Sequence, residues 1–509
     1  MKMLKLKPNI DSLSMRITEI YIFLMLFLFP LFTGFKGYVE VTLSKYVFFV
    51  AVTALWLIAL FITELVKKAS NASAKLTITG IFILFYLFFC CISAVFSSYK
   101  ASVFLGEGRF DGLITIIFCV GIFFGISQFA RPKCSYIYLA TAAVSLNCIV
   151  AVLQILGYNP LHLFPGDYNF YDAGVHFSST FLGTIGNADL FSAYLCLMLP
   201  LTSVYYICAE KRPLSLLPCV LLTAYCLFMC GVSGGILAIA VTAITAAPFV
   251  ITNGERLRRG LEIALVILVS AFFVFAVKIT ETANGVNVYF LLSKISTLML
   301  IIAVIVAVLR LAAENKEFRK QPLHLIFTAL AAVLVIIGFL TAYYWKGTDG
   351  SVYELSQLLH GNAQDSFGSS RILIWRKTLE LVPERLLLGG GPGTLALRLD
   401  VNFSRIVEET GKTLSSSVDN AHNDYLGILV NTGLISLVAY LAAQLLSLFK
   451  ASKAAKRSEF CACLACALLC YWVQAFFGLG LFLVSPIMWL MWGFLVSSLR
   501  RDKTDTPIV

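Results

Sequence analysis

Stretches of roughly twenty apolar residues, separated by short polar breaks, recur along most of the chain. A helix needs about 20 such residues to cross the hydrocarbon core of a bilayer. Blocks of that size run at 17–35, 46–64, 76–96, 112–130, 138–156, 188–208 and 214–230. They continue at 233–251, 261–279, 289–309, 323–344, 424–447, 459–477 and 479–499. The pairs at 214–251 and 459–499 run nearly together, so the pattern predicts about 12–14 transmembrane helices in an all-α polytopic membrane protein. Three divisions follow: helices over 1–344 with a longer loop at 157–187, a large polar loop at 345–421 holding short helices, and helices with a tail over 422–509. The first block lacks an Ala-rich cleavage site and is followed by Lys36, so it is expected to stay as a helix.

Composition agrees: 59% hydrophobic, 13% charged and a mean hydropathy of +0.87 exclude an ordinary soluble domain. Orientation follows from Lys and Arg, because basic loops resist translocation. With the N-terminus (Lys2, Lys5, Lys7, Arg16) in the cytoplasm, alternation puts Lys67, Lys68 and Lys75 inside, with Arg131, Lys133, Lys211 and Arg212. Arg256, Arg258, Arg259, Arg310, Lys316, Arg319 and Lys320 follow them. Lys450, Lys453, Lys456, Arg457, Arg500, Arg501 and Lys503 complete the set, so both termini are expected on the cytoplasmic side of the cell membrane. The loop at 157–187 has no Lys or Arg and falls outside, as does 345–421. The net charge of +11 thus reads as anchoring to anionic membrane lipid, not as nucleic-acid binding. The fourteen cysteines lie almost entirely in apolar blocks, which favours packing over disulfides or a metal site.

Polar chemistry gathers on the outer side. Lys278 and Lys294 are the ionisable exceptions near the outer ends of their blocks, where snorkelling is the plain alternative. GEGRFDG at 106–112 offers Arg109. The loop at 157–187 carries His162, Asp167, Asp172 and His176 among Phe164, Tyr168, Phe170, Tyr171 and Phe177, and leads into GTIGNADL with Asn187. Such residues suit a sugar ring, and equally an interfacial aromatic belt. No external Asp-x-Asp pair is present to bind a metal on a nucleotide sugar.

In the large loop, Ser369 or Ser370 is positioned to cap a helix that Pro383 ends, with Arg371, Trp375, Thr378 and Val382 on one face. The planar fork of Arg371 suits a phosphate, or else a surface ion pair. GGGPGT at 389–394 could point amides at an anion, but it has no Walker lysine. His422, in Asn-Ala-His-Asn-Asp, suits proton transfer near neutral pH or simple helix capping. Asn420, Asn423 and Asp424 stand ready to orient it.

This order of motifs resembles the O-antigen ligase and polymerase superfamily. Arg371 with Trp375, Pro383 with Gly389, Gly391 and Gly393, then His422–Asn423 with Leu426 and Gly433, reproduce its signature. Gly183–Asn187 and Arg109–Gly112 resemble further family elements, so the likeness spans about 106–445. The resemblance implies a GT-C-like, metal-independent, inverting glycosyltransferase without a cofactor. Its donor would be a glycan on undecaprenyl pyrophosphate, and its acceptor a glycan, lipid or protein hydroxyl. By the same resemblance, Arg371 would meet the diphosphate and His422 would position the acceptor hydroxyl or take its proton. Gly391 and Gly393 would shape the loop and Asn423 would hold the histidine, with Asn187 and Trp375 also at the substrate. Where family members carry Ser-Arg-Gly in a mid-chain helix, this chain has Ser233–Gly234–Gly235. Arg109 is the first choice to replace that arginine, ahead of Lys278 or Lys294.

Ligase and polymerase share these motifs. A flippase or transporter of lipid-linked oligosaccharides is the alternative from another class, and would need a polar cavity through the membrane. A non-catalytic subunit binding the lipid carrier would tolerate loss of His422.

Overall fold

The computed structural model describes residues 10–66, 76–164, 182–282, 285–313, 323–406, 413–455 and 457–501. The first apolar block forms α1 (Ile10–Phe23), a π-helical turn at Leu24–Leu28 and α2 (Phe29–Leu31). There follow α3 (Val41–Val66), α4 (Ile78–Phe96), α5 (Leu113–Phe129), α6 (Cys134–Ile155) and α7 (Ala188–Cys208). The next five are α8 (Leu216–Met229), α9 (Ser233–Val250), α10 (Gly254–Ala276), α11 (Lys294–Ala312) and α12 (Leu323–Tyr343). Two short helices, α13 (Gly350–Leu359) and α14 (Phe367–Glu380), precede α15 (Asp424–Ala454), α16 (Glu459–Gln474) and α17 (Ser485–Arg501). Each of the fourteen blocks falls on a helix, so the chain is an all-α polytopic membrane protein. Among the described residues ten helices are long and apolar enough to cross a membrane, and α5 and α8 are shorter apolar helices.

α7 lies at the centre of the bundle, with every residue from Leu190 to Cys208 buried. It packs on α16, α8 and α9, while α17 packs on α5 and α15 on α4. α11 and α12 sit at the periphery, with apolar faces largely exposed. That is stable only in lipid, where an exposed leucine costs nothing. None of the fourteen cysteines, all among the described residues, is in a disulfide, and most are buried in these contacts.

Two antiparallel hairpins interrupt the helices: β1 (Val277–Thr282) with β2 (Gly285–Phe290), and β3 (Asn402–Ile406) with β4 (Thr413–Ser417). The first corrects the expectation for Lys278. α10 ends at Ala276, and Lys278 stands in β1 opposite Tyr289 rather than in a helix. The run VKITET…GVNVYF is rich in β-branched residues around an Asn-Gly dipeptide, a hairpin pattern that average hydropathy conceals. Lys294 is exposed as the first residue of α11, beside a capping box made by Ser293 and Ser296.

A lysine that the block pattern does not single out is fully buried. Lys45, in α3, donates to the carbonyls of Phe29 (2.8 Å) and Pro30 (3.1 Å), which α2 leaves open at its C-terminus. Thr184 Oγ1 also donates to Pro30 O at 2.8 Å. At the end of the bundle that carries most of the basic residues, Glu262 receives Arg212 at 2.5 Å and Arg310 at 3.0 Å, together with Tyr206 at 2.5 Å. The loops at 97–112, 182–187, 383–398 and 418–423 meet at the opposite end.

Of the loop at 157–187, residues 165–181 lie outside the described residues, with Asp167, Tyr168, Phe170, Tyr171, Asp172, His176 and Phe177. So do Lys2, Lys5, Lys7, Lys67, Lys68, Lys75, Lys316, Arg319, Lys320, Lys456 and Lys503.

Candidate functional site

The polar segment after α12 has a small core of its own. Ile374, Leu395, Leu399, Val401, Val418, Ala421, Leu426 and Val430 are buried together. This cluster ties α14 and the 395–401 stretch to the start of α15. Arg371 stands one turn before Ile374, and His422 directly follows Ala421. One apolar cluster therefore aims both side chains.

Backbone geometry at the two ends differs from a simple capped helix. Gly368, Ser369 and Ser370 all have positive φ, of 62°, 57° and 64°. An N-cap needs extended backbone, so neither Ser369 nor Ser370 takes the expected capping role. Past Glu380 the chain tightens, and Pro383 opens a 3₁₀ turn (Pro383–Arg385) instead of merely ending the helix. His422 itself sits at φ 48°, a conformation uncommon for a residue with a Cβ. Asn420 Oδ1 holds it there by accepting from the His422 backbone N–H at 3.1 Å.

Asn423, expected to hold the histidine, instead caps α15: its Oδ1 accepts from Leu426 N at 3.0 Å. Asn187 does the same for α7, accepting from Leu190 N at 3.1 Å. In both cases the side-chain oxygen satisfies an amide that the first helical turn leaves open. The Gly183–Asn187 turn is fixed from α6, where Gln154 accepts from Gly183 N at 2.9 Å and Asn147 from Thr184 N at 2.9 Å.

The glycine turn spends its amides within the fold. Its amides do not converge on an open anion cradle. Gly390 N donates to Val430 O at 3.0 Å and Gly391 N to Asn431 O at 2.8 Å, while Leu434 N donates back to Leu386 O at 2.8 Å. These bonds serve a break in α15 at Gly433, whose φ of 88° and ψ of 172° no other residue adopts readily. A Cβ on Gly433 would overlap Leu387 O, and one on Gly389 the Asn431 backbone. Glycine here allows a turn to enter a broken helix, and the freed carbonyls need donors in an environment without water. Arg398 adds one, to Val430 O (3.2 Å), and also donates to the Asn431 side chain at Oδ1 (2.8 Å). Gly391 (φ 122°) leaves room for Ser97, and Gly393 lies against Gly106 and Asp111 of the GEGRFDG turn.

That packing brings Arg109 to the site. Its Nε and Nη2 donate to Asp419 at 2.6 and 3.1 Å, a two-point ion pair between residues 310 positions apart. Arg371 Nη1 donates to Gly368 O at 2.9 Å, and its Nη2 lies 3.6 Å from Asp189 in the first turn of α7. Arg371 Nε, Trp375 Nε1 and His422 Nδ1 are buried without a hydrogen-bond partner among the described residues. Trp375 meets the Phe476 ring edge-on at 5.5 Å. Burial, then the Arg371 charge, lowers the His422 pKa below its ordinary value, with Asp189 opposing. The Arg109 and Asp419 charges reach the imidazole too. A neutral imidazole between two arginines can accept a proton, and the arginines favour an anion nearby.

Asp189 and Asp419 are the functional neighbours that the motifs do not name, while Asn420 meets His422 as the sequence suggested, through the histidine's backbone N–H. Asp419 is legible only as part of the polar run before His422. Among the described residues, no three His, Cys, Asp or Glu side chains gather as a metal's ligands would.

Residues 282–441 match the family model described as O-antigen ligase. The match takes in Arg371, Trp375, the glycine turn, His422 and Gly433, and leaves out Arg109, Asn187 and Lys278. No curated protein matches the chain.

Proposed function

From the match of residues 282–441 to the O-antigen ligase family model, we propose that the chain is a member of the O-antigen ligase and polymerase superfamily, and how it works and on what. It transfers or polymerises glycan from an undecaprenyl-pyrophosphate-linked donor to an acceptor hydroxyl, at the outer face of the cytoplasmic membrane. The observation that carries this reading is the convergence of a half-buried His422, its pKa lowered by burial and then by the Arg371 charge, with Arg371 and Arg109 on one apolar cluster and one packed turn.

The acceptor oxygen attacks the anomeric carbon from the side opposite the diphosphate, with inversion. A glycosidic bond forms as the carbon–oxygen bond to the diphosphate breaks, and the lipid diphosphate leaves. The hydroxyl proton passes to the His422 ring. Arg371, with Nε unpartnered, stabilises the charge growing on the leaving group, and Arg109 is the second cation within reach of the same space. Two guanidiniums supply the positive charge that other transferases draw from a metal ion. Trp375 supports Arg371 one turn away on α14. Asn187 and Asn423 act through the helices they cap, and Gly391 and Gly393 through the turn they permit. The 345–421 segment is the external catalytic unit in this reading.

The test is the mass profile of lipid-linked glycans in cells lacking the protein or carrying His422→Ala. Accumulated single repeat units identify a polymerase, and long chains still on the lipid identify a ligase. An unchanged profile, or intermediates held on the cytoplasmic side, would sink the transferase reading.

A further inference from the structure

Behind the glycine turn, inside the bundle, lies a second polar space that the transfer chemistry above does not use. It is a cavity of about 100 Å³ between α4, α5, α15, α16 and α17. That is room for roughly seven to ten waters, at ~10–15 Å³ each, a space on the scale of one sugar ring rather than a chain. Asp111, Gly393 and Asn420 line it at the site end, and Tyr440 and Trp489 line it deeper between the helices.

Its chemistry is selective. Two carboxylates face it, Asp111 from the turn before α5 and Asp424 from the first position of α15, and among the described residues no Lys, Arg or His lines it. A diphosphate is therefore repelled. Asp111 Oδ1 and the Tyr471 hydroxyl are buried there without partners among the described residues, and Tyr471 is only 1% exposed. A polar atom in that condition costs about 1–3 kcal/mol unless something in the cavity bonds it. Burial pushes the Asp111 carboxyl up to about 6. The Asp424 carboxylate lies over Gly480, where any Cβ would overlap it. Asn420 and Asn431 add amides, and Tyr440 and Trp489 add aromatic surface. Acceptors, amides and aromatic faces together match a neutral ring that is apolar on its faces and hydroxylated at its edge.

We propose that this chamber seats one uncharged pyranose unit of the acceptor, with Asp111, Asp424 and Tyr471 bonding its hydroxyls. The proposal rests on the transferase reading, which it extends by separating an anionic donor side, at Arg371 and Arg109, from a neutral-sugar side behind Gly393. Asn420 joins the two, since it lines the chamber and holds the His422 backbone.

The experiment is thermal unfolding of the purified full-length protein in detergent, with glucose, galactose, N-acetylglucosamine or rhamnose at tens of millimolar. Sodium chloride exchanged for choline chloride serves as the cation control. At least one sugar is expected to raise Tm by about 2 °C or more in the wild type and in His422→Ala. The shift is expected to vanish in Asp424→Asn and in Tyr471→Phe, the latter removing a single oxygen should the former fold poorly. No shift with any sugar, a shift that survives both substitutions, or stabilisation by sodium alone overturns the proposal. Failure here with glycan transfer still lost in His422→Ala removes the chamber's role and leaves the transferase standing. Sugar binding with no glycan transfer by the wild-type protein removes the transferase reading instead, and transfer intact in His422→Ala removes the role given to His422.

Discussion

Two aspartates govern how much of the site's positive charge a substrate can reach. The Arg371–Asp189 contact is long, at 3.6 Å, and both side chains keep some exposure, 20% and 28%. Pairs of that kind contribute about 0–1 kcal/mol, so a diphosphate displaces Asp189 readily. Asp189→Asn is expected to lower the donor KM by up to ~5-fold, the equivalent of about 1 kcal/mol, in a transfer assay with purified protein. An unchanged or raised KM would mean that Asp189 orients Arg371 rather than competes for it. The pH profile gives an independent reading. His422 must be neutral to take a proton, and its pKa is lowered, so activity should persist below the usual histidine range before falling with acid. Asp189 favours the imidazolium and Arg371 opposes it. The acid limb of kcat should therefore move to lower pH in Asp189→Asn and to higher pH in Arg371→Gln; movement in the opposite directions would remove His422 as the titrating group.

Among the elements, α15 shows how a functional turn is mounted on a membrane helix. Breaking a helix in lipid strands carbonyls that water cannot reach. Here Gly390, Gly391, Arg398 and Ser93, whose hydroxyl donates to Asn431 O at 2.9 Å, satisfy them. Ser97 in turn donates to Gly390 O at 2.6 Å, so α4 is tied to the same knot. Gly433→Ala should cost about 3 kcal/mol or more, since it joins a glycine-only conformation to a clash with Leu387. Gly338→Ala, in open space on α12, should be neutral or stabilising by ~0.5–1 kcal/mol. Thermal unfolding of the two variants in detergent checks the contrast, and equal effects would mean that the break is not held by glycine geometry.

Over the whole molecule, charge and chemistry separate to opposite ends of the bundle. Glu262 with its two arginines, and the Lys133–Glu19 pair at 2.5 Å, lie at one end; Arg109, Arg371 and His422 lie at the other. The positive-inside rule predicts that the first end faces the cytoplasm. A fluorescent protein fused after Arg212 should then light up, while one fused after Tyr99 should stay dark and an alkaline phosphatase there should be active. The reverse pattern would put the site on the wrong side of the membrane for an external lipid-linked donor.

The sequence by itself determined the elements and their order. Fourteen apolar blocks became helices because crossing lipid depends on local length and composition, which neighbouring residues supply. It also placed Arg371, the glycine turn and His422 in one polar stretch. Only the tertiary structure decided what those residues meet. Arg109 finds Asp419 across 310 positions, and Arg371 finds Asp189 on the first turn of α7. The glycine amides serve α15 rather than an anion, Asn423 caps a helix while Asn420 holds the histidine, and Lys278 belongs to a hairpin. For the ion pairs and the stranded carbonyls the reason is common. An ion pair or a stranded carbonyl is satisfied by whichever group packing brings near, and in a bundle of long helices that group usually comes from a distant part of the chain.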